Sequence, residues 1–406
     1  MYIQRHAEET VKQMARQFGA VLVTGPRQVG KTTMLETMLE IISTVSMDDM
    51  ILRTAAVESP NTFFKDFPPP LFVDEVQKAP GLFEQIKLLL DTSREKGQFF
   101  LSGSQQQLRL MKHVSESLAG RIGILNLAGL SMREICGVQE RTPFLPTEDY
   151  FLLRRKTPAD LDYQKTWELI WRGSMPEMTS NPDFNWRMFY GSYVSTNIER
   201  DVRDLAQIGD ELKFVRFMSV LAARNAQLLN LRSAAEDVGI SQPTAERWLS
   251  ILISSHIVYL LQPYSNNLTK RIVKTPKLYF LDTGLAAYLS RWNTAEALKS
   301  GAMAGEFFEA FVLSEIIKSY YNQGILEPPL YFYRDKDQKE IDILIEENNT
   351  LYPLEVKKHA DPGVRDIANF RILDRIGKRG PGGVICFYDK LVTLQGEDRV
   401  IPVNYL

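Results

Sequence analysis

The eight residues Gly25-Pro26-Arg27-Gln28-Val29-Gly30-Lys31-Thr32 constrain this chain more than any other stretch. They fit the pattern Gly-x-x-x-x-Gly-Lys-Ser/Thr without a mismatch. An apolar run, Val21-Leu22-Val23, precedes them and a helical pattern follows. Gly25 and Gly30 let the backbone curl so that its amide hydrogens converge on phosphate oxygens at a helix N-terminus. Lys31 brings a cation to the β- and γ-phosphates, and the Thr32 hydroxyl is placed to ligate Mg²⁺. The predicted nucleotide-contacting set is therefore Gly25, Pro26, Arg27, Gln28, Val29, Gly30, Lys31, Thr32 and Thr33, with ATP and Mg²⁺ as the bound species.

Around this loop, short apolar runs alternate with helical patterns, which predicts a parallel sheet wrapped by helices. Strands are expected at Ala20–Thr24, Thr44–Met47, Leu71–Asp74, Gln98–Ser102 and Arg121–Leu127. Helices are expected at Lys31–Ile42, Leu82–Thr92 and Gln105–Val114. Leu71-Phe72-Val73-Asp74-Glu75 is an apolar strand ending in two acids, about fifty residues after the loop. Asp74 is expected to hold Mg²⁺ through water, and Glu75 to polarise the attacking water. The strand through Phe99–Leu101 ends in hydroxyls where a γ-phosphate sensor would lie, and Ser104 is preferred over Ser102.

These residues resemble a widespread prokaryotic family of AAA-type ATPases. The resemblance is carried by Gly25–Thr33, by Asp74-Glu75-Val76-Gln77 and by Ser117-Leu118-Ala119-Gly120-Arg121. It continues through Leu130-Ser131, Glu134 and Tyr279-Phe280-Leu281-Asp282-Thr283-Gly284. It implies an α/β fold with an AAA-type P-loop core, nucleotide-dependent switching, self-assembly as a homo-oligomer and a C-terminal domain of restriction-endonuclease-like fold. Arg121 is then a candidate to reach a γ-phosphate, in cis or as an arginine finger in a neighbouring subunit; a structural pairing with a carboxylate is the alternative.

Farther along, Ser233–Leu249 has the spacing of a helix-turn-helix. Ala235 is small, Gly239 suits the turn, Ser241 can cap the second helix, and Pro243 falls in its first turn. Leu249, Leu252 and Ile253 are expected to face a core. Between 200 and 280 there are eleven Lys and Arg against seven Asp and Glu, and no acid lies between Gln262 and Phe280. Arg247, Lys270, Arg271 and Lys274 are the candidate phosphate contacts of a winged helix on DNA. A structural role or a protein partner remain alternatives.

In the last hundred residues, Glu309 lies on a predicted helix over Gly305–Tyr321, Asp342 in a strand near Glu340–Ile345, and Glu355-Val356-Lys357 at the end of the next strand. A helix is expected near Val364–Arg375 and a strand at Gly383–Tyr388. Order and spacing resemble the PD-(D/E)XK nuclease superfamily. With a period of two, Glu355 and Lys357 share one face of their strand, and a hairpin would bring Asp342 beside them. Glu309, Asp342 and Glu355 are the candidate ligands of a second Mg²⁺ or Mn²⁺, with Glu306 competing with Glu309, and Lys357 is placed to orient hydroxide or stabilise a phosphorane. A degenerate site, held neutral by Lys357 and serving as a platform, is the alternative.

The whole divides into four expected parts: an ATPase core at 1–135, a helical lid or connector at 136–217, a winged helix at 218–292, and a nuclease-like domain at 293–406. A formal net charge of −2 gives no overall basic field, so any nucleic-acid site is local. Cys136 and Cys386 fit neither a disulfide framework nor a metal-ligand spacing. The polar N-terminus and the absence of a spanning apolar run predict a cytoplasmic protein with no membrane partner. Two functions stay open: an ATP-regulated enzyme acting on nucleic acid, and a nucleotide-switched DNA- or protein-binding protein with an inactive nuclease-like domain.

Overall fold

The structure is a computed structural model describing residues 2–38, 43–103, 114, 117–198, 211–265 and 275–406. The chain begins with α1 (Ala7–Gln17), β1 (Ala20–Thr24), α2 (Lys31–Met38), β2 (Ser43–Ser46), α3 (Met50–Glu58), α4 (Pro60–Asp66) and β3 (Leu71–Asp74). Next come α5 (Gly81–Ser93), β4 (Phe99–Gly103) and β5 (Ile122–Asn126). Five parallel strands pair in the order β2-β3-β4-β1-β5. Every residue of β1 and β4 is buried, because helices cover both faces of a parallel sheet and its strands need apolar side chains on each. The expected strands are all present. The expected helix at Gln105–Val114 lies outside the described residues except for Val114, and residues 39–42 of the helix after the loop do too. The helices α3 and α4 carry no clear amphipathic signal and went unpredicted; Asp49 caps α3 by accepting from the Ile51 and Leu52 amides.

A helical stretch follows: α6 (Met132–Ile135), α7 (Glu148–Lys156), α8 (Tyr163–Arg172), α9 (Pro176–Ser180) and α10 (Trp186–Ser192), continued by a π turn over Tyr193–Ile198. Then come α11 (Glu211–Ala222), β6 (Gln227–Leu228), α12 (Leu231–Val238), α13 (Gln242–Ser254), β7 (Val258–Pro263) and β8 (Lys277–Phe280). Gly239 ends α12 at φ +72, where a left-handed backbone favours glycine, and Ser241 caps α13 by accepting from Thr244. Trp248, Leu249 and Leu252 are buried, but Ile253 is 36% exposed, contrary to its expected core position, and it lines an open cavity together with Leu249. The boundary expected at 217 falls inside α11.

The remaining elements are α14 (Thr283–Leu289), α15 (Ala295–Ser300), α16 (Ala304–Tyr321), β9 (Leu330–Arg334), β10 (Glu340–Glu347) and β11 (Thr350–Val356). They end with β12 (Lys378–Arg379), β13 (Gly383–Cys386), β14 (Val392–Gln395) and β15 (Asp398–Pro402). The helix expected at Val364–Arg375 is a 3₁₀ helix restricted to Ala368–Arg375. The second sheet is mixed, with order β14-β15-β13-β11-β10-β9-β7-β8-β6 and β12 beside β11. It crosses the expected boundary at 293, since β7 pairs with β9 through Gln262–Tyr331 and Pro263–Phe332. From Phe307 to Tyr321 the helix α16 buries every residue except Glu309, which is only partly exposed. A helix buried on nearly all sides sits in the middle of a core, and its charged Glu315 and Lys318 pair with each other there at 2.7 Å. Among the described residues no helix is long and apolar enough to cross a membrane.

Candidate nucleotide site and carboxylate cluster

The loop after β1 takes the shape its glycines allow. Gly25 has φ +146, and a Cβ there would lie 2.0 Å from the Leu127 carbonyl oxygen, so only glycine fits. Gly30 has φ +86, and Gln28 also adopts a left-handed backbone at φ +62. The Lys31 ammonium is buried and donates to the carbonyls of Gly25 at 3.1 Å and Pro26 at 2.7 Å. Arg5 braces the loop from outside. Its guanidinium donates to the carbonyls of Val29 at 2.7 Å and Ala128 at 2.8 Å, and pairs with Glu134 at 3.1 Å. Ser131 and Glu134 form a reciprocal capping box on α6, and Glu134 also accepts from the His6 amide. Arg5 was not foreseen. An arginine before the first helix has no local signature, and its role depends on contacts more than 120 residues away.

At the C-terminal edge of the same sheet, the Thr32 hydroxyl donates to Asp74 Oδ1 at 3.0 Å, and Ser102 Oγ also donates to that oxygen. Thus Ser102 reaches the acid, whereas Ser104 lies outside the described residues. Glu75 takes a left-handed backbone at φ 53, and the Gln77 amide donates to its Oε2 at 2.5 Å. Two cavities flank the loop and share Gly30, Thr33, Pro176 and Glu177. One of about 350 Å³ adds Tyr2 and Ile3, and one of about 760 Å³ adds Phe184 and Met188.

Arg121 requires a correction. It immediately precedes β5, whose first residue pairs with Ala20, so it stands at the N-terminal edge of the sheet. The loop stands at the other edge, and a strand of this length spans roughly 15 Å at about 3.3 Å per residue. Arg121 instead pairs with Asp91 at 2.5 Å and donates to Ala119 O at 3.1 Å, both on the surface. It cannot reach a phosphate on its own loop.

In the second sheet, antiparallel pairing of β10 with β11 brings Asp342 alongside Glu355 and Lys357. Asp342 Oδ2 accepts from the Val356 amide at 2.9 Å, and Lys357 Nζ lies 2.8 Å from Glu355 and 3.5 Å from Asp342. Glu309 faces the same cluster from α16. Its Oε1 accepts from Lys277 Nζ at 3.0 Å and from the Tyr279 hydroxyl at 2.5 Å, and Lys277 also pairs with Glu340 at 2.5 Å. Burial first, then the nearby Asp342 charge, pushes Glu355 up to about 9 and Glu309 up to about 7. Among the described residues no three His, Cys, Asp or Glu side chains converge as a metal-ligand set. Glu309, Asp342 and Glu355 lie in one neighbourhood, and two ammonium groups pair with them: Lys277 with Glu309 at 3.0 Å, and Lys357 with Glu355 at 2.8 Å and Asp342 at 3.5 Å. Lys277 and Tyr279 were not foreseen as site residues. The available signal was a lysine opening a strand that is otherwise apolar and fully buried.

Lys277 is one of the eleven Lys and Arg between 200 and 280, and its burial removes it from any surface footprint. Of the candidate phosphate contacts, Arg247 lies exposed on α13, while Lys270, Arg271 and Lys274 lie outside the described residues.

Residues 17–136 match the AAA domain, residues 163–296 a domain of unknown function (DUF8612), and residues 304–406 a domain of unknown function (DUF4143). An uncharacterised protein of Mycobacterium tuberculosis is 27% identical over 366 residues, covering 89% of this chain and 75% of that protein, and one of Mycobacterium bovis matches equally. Among solved structures, the Walker-type ATPase of Pyrococcus abyssi is similar at 15% identity and a TM-score of 0.42, covering 70% of this chain and 94% of that one. The Thermotoga maritima RuvB Holliday junction branch migration motor is similar at 16% identity and a TM-score of 0.29, covering 62% and 85%. The AAA-type P-loop core rests on the matched domain together with the sheet order and the loop.

Proposed function

We propose that the chain binds and hydrolyses ATP at the Gly25–Thr33 loop and uses the cycle to switch a C-terminal binding platform. The observation that carries this reading is the convergence of Thr32 and Ser102 on Asp74, directly beside the loop. Those oxygens suit a hard divalent ion, and the Gly25 cradle suits a phosphate, so the residues fit Mg²⁺ with ATP. When bound, Mg²⁺ would screen the charge gathering on the transferred phosphoryl group. The chain's own residues do the rest. Loop amides orient the phosphates, Lys31 neutralises them, Thr32 and Asp74 hold the ion's ligand sphere, and Glu75 orients the attacking water. Lys31→Ala and Glu75→Gln test this by measured phosphate release together with nucleotide binding. Unimpaired release by both would overturn it.

The C-terminal cluster favours the platform over an active nuclease. Lys277 and Lys357 already engage its carboxylates as ion-pair partners. The helix–strand–helix–helix–strand–strand order from α11 to β8 supports a winged helix, and Arg247 with the basic run at 270–274 supports DNA as its partner. Titrating Mn²⁺ into the full chain and assaying cleavage of single-stranded, duplex and branched DNA distinguishes the two. Cleavage abolished by Asp342→Ala would restore the nuclease reading.

A further inference from the structure

His256 occupies an unusual position. It lies in the turn between α13 and β7 with a left-handed backbone at φ 53, and its amide donates to Ile253 O at 3.0 Å. Although it comes from the unit that follows the helical stretch, it lines a narrow gap together with Pro26 and Val29 of the nucleotide loop and with Asp282. The ring also lies at the wall of a cavity of about 530 Å³ shared with Asn126 and Leu249. Its Nε2 is buried and has no hydrogen-bond partner among the described residues. Burial and the neighbouring Lys31 charge hold the imidazole in its neutral form, with its pKa lowered to about 4.

A buried polar atom without a partner is unfavourable, and so is a left-handed backbone at a residue with a Cβ. A leucine or methionine would fill the same space without the first of these costs. What the site lacks is an acceptor facing Nε2. A nucleotide held by the loop would supply several, because Pro26 of the loop lines the same gap as His256 and its carbonyl accepts from Lys31, the cation expected to meet the phosphates.

We propose that His256 is a phosphate-reading residue of this site, its Nε2–H donating to a β- or γ-phosphate oxygen of the nucleotide held by Gly25–Thr32. This rests on the ATPase reading above and deepens it. His256 stands two residues before β7, the strand that pairs with β9 of the C-terminal sheet. A bond to the nucleotide would therefore tie its occupancy to the strand pair that joins the two halves of the molecule.

The test measures binding of Mg²⁺ with ADP, and with the β,γ-imido analogue of ATP, to the full chain and to His256→Ala, His256→Gln, His256→Leu and Lys31→Ala. One hydrogen bond to a charged phosphate corresponds to roughly ten- to hundredfold in affinity. His256→Ala and His256→Leu should lose that much, and His256→Gln, which keeps a donor, should recover most of it. Loss confined to the analogue assigns the bond to the γ-phosphate, and equal loss with ADP assigns it to the β-phosphate. The nucleotide-free melting midpoint should not fall in His256→Ala. If it does, the Gln and Leu variants, similar in bulk and differing in the donor, carry the comparison. Wild-type affinity in both Ala and Leu variants, with binding lost in Lys31→Ala, overturns the role of His256. Wild-type binding by Lys31→Ala overturns the ATPase reading instead.

Discussion

Lys277 Nζ lies 3.0 Å from Glu309 Oε1, joining a strand on one side of the expected domain boundary to a helix on the other. The same ammonium reaches Glu340, and Tyr279 donates to Glu309 from the same strand. The carboxylate cluster is thus built from both sides of residue 293, and the C-terminal segment does not complete it alone.

Replacing Lys277 by Met leaves Glu309 without its cation and the half-buried Glu340 with Arg334 alone. Breaking a buried pair from one side costs about 3–5 kcal/mol. Urea unfolding of the full chain should show a loss of that order, and adding Glu309→Gln to Lys277→Met should recover part of it. A single mutant as stable as the parent would show that the pair contributes nothing.

Glu355 and Glu309 set a pH dependence. Each carboxyl has a folded pKa raised above the ordinary 4.5, so the folded state holds protons that the unfolded chain releases. Their contribution is complete below about 4.5 and is lost as pH rises through about 7 for Glu309 and about 9 for Glu355. Thermal midpoints should therefore fall between pH 5 and 9, and Glu355→Gln should flatten the upper part of that fall. An unchanged slope in Glu355→Gln would assign the dependence to other groups.

Lys31→Ala should abolish ATP turnover and weaken nucleotide binding, while Glu75→Gln should keep binding and stop turnover. One mutation removes a phosphate contact and the other removes the group acting on water. Phosphate release at the parental rate in Glu75→Gln would exclude Glu75 from that role.

Arg121→Ala should leave turnover per chain unchanged, because the side chain sits at the far edge of the sheet and pairs with Asp91 in solvent. Turnover that rises steeply with protein concentration, with Arg121→Ala rescued by mixing with Lys31→Ala, would instead show that it works in a neighbouring subunit.

Changing Lys270, Arg271 and Lys274 together to Ala should weaken duplex DNA binding and flatten its salt dependence. Each lost phosphate contact lowers the slope of log K against log salt by about 0.9. A parent protein whose DNA affinity does not vary with salt would remove DNA as the wing's partner.

What the sequence determined by itself was local. Gly25, Gly30, Lys31 and Thr32 fall within eight residues, and Asp74 ends a strand whose apolar pattern is continuous, so both were legible in order. Glu355 and Lys357 could be placed on one face because strand periodicity needs no partner. Only the tertiary structure decided the rest. Arg5 braces Val29 and Ala128, His256 lies beside the loop from more than two hundred residues away, and Lys277 enters a cluster whose acids lie on α16, β10 and β11. Arg121 stands at the edge of the sheet opposite its own loop, because parallel strands start at the end opposite the loops that follow them. Charge and hydrogen-bonding capacity can be read from a residue's type. The partners that satisfy them are chosen by how the chain packs, and that is not written in any short run of residues.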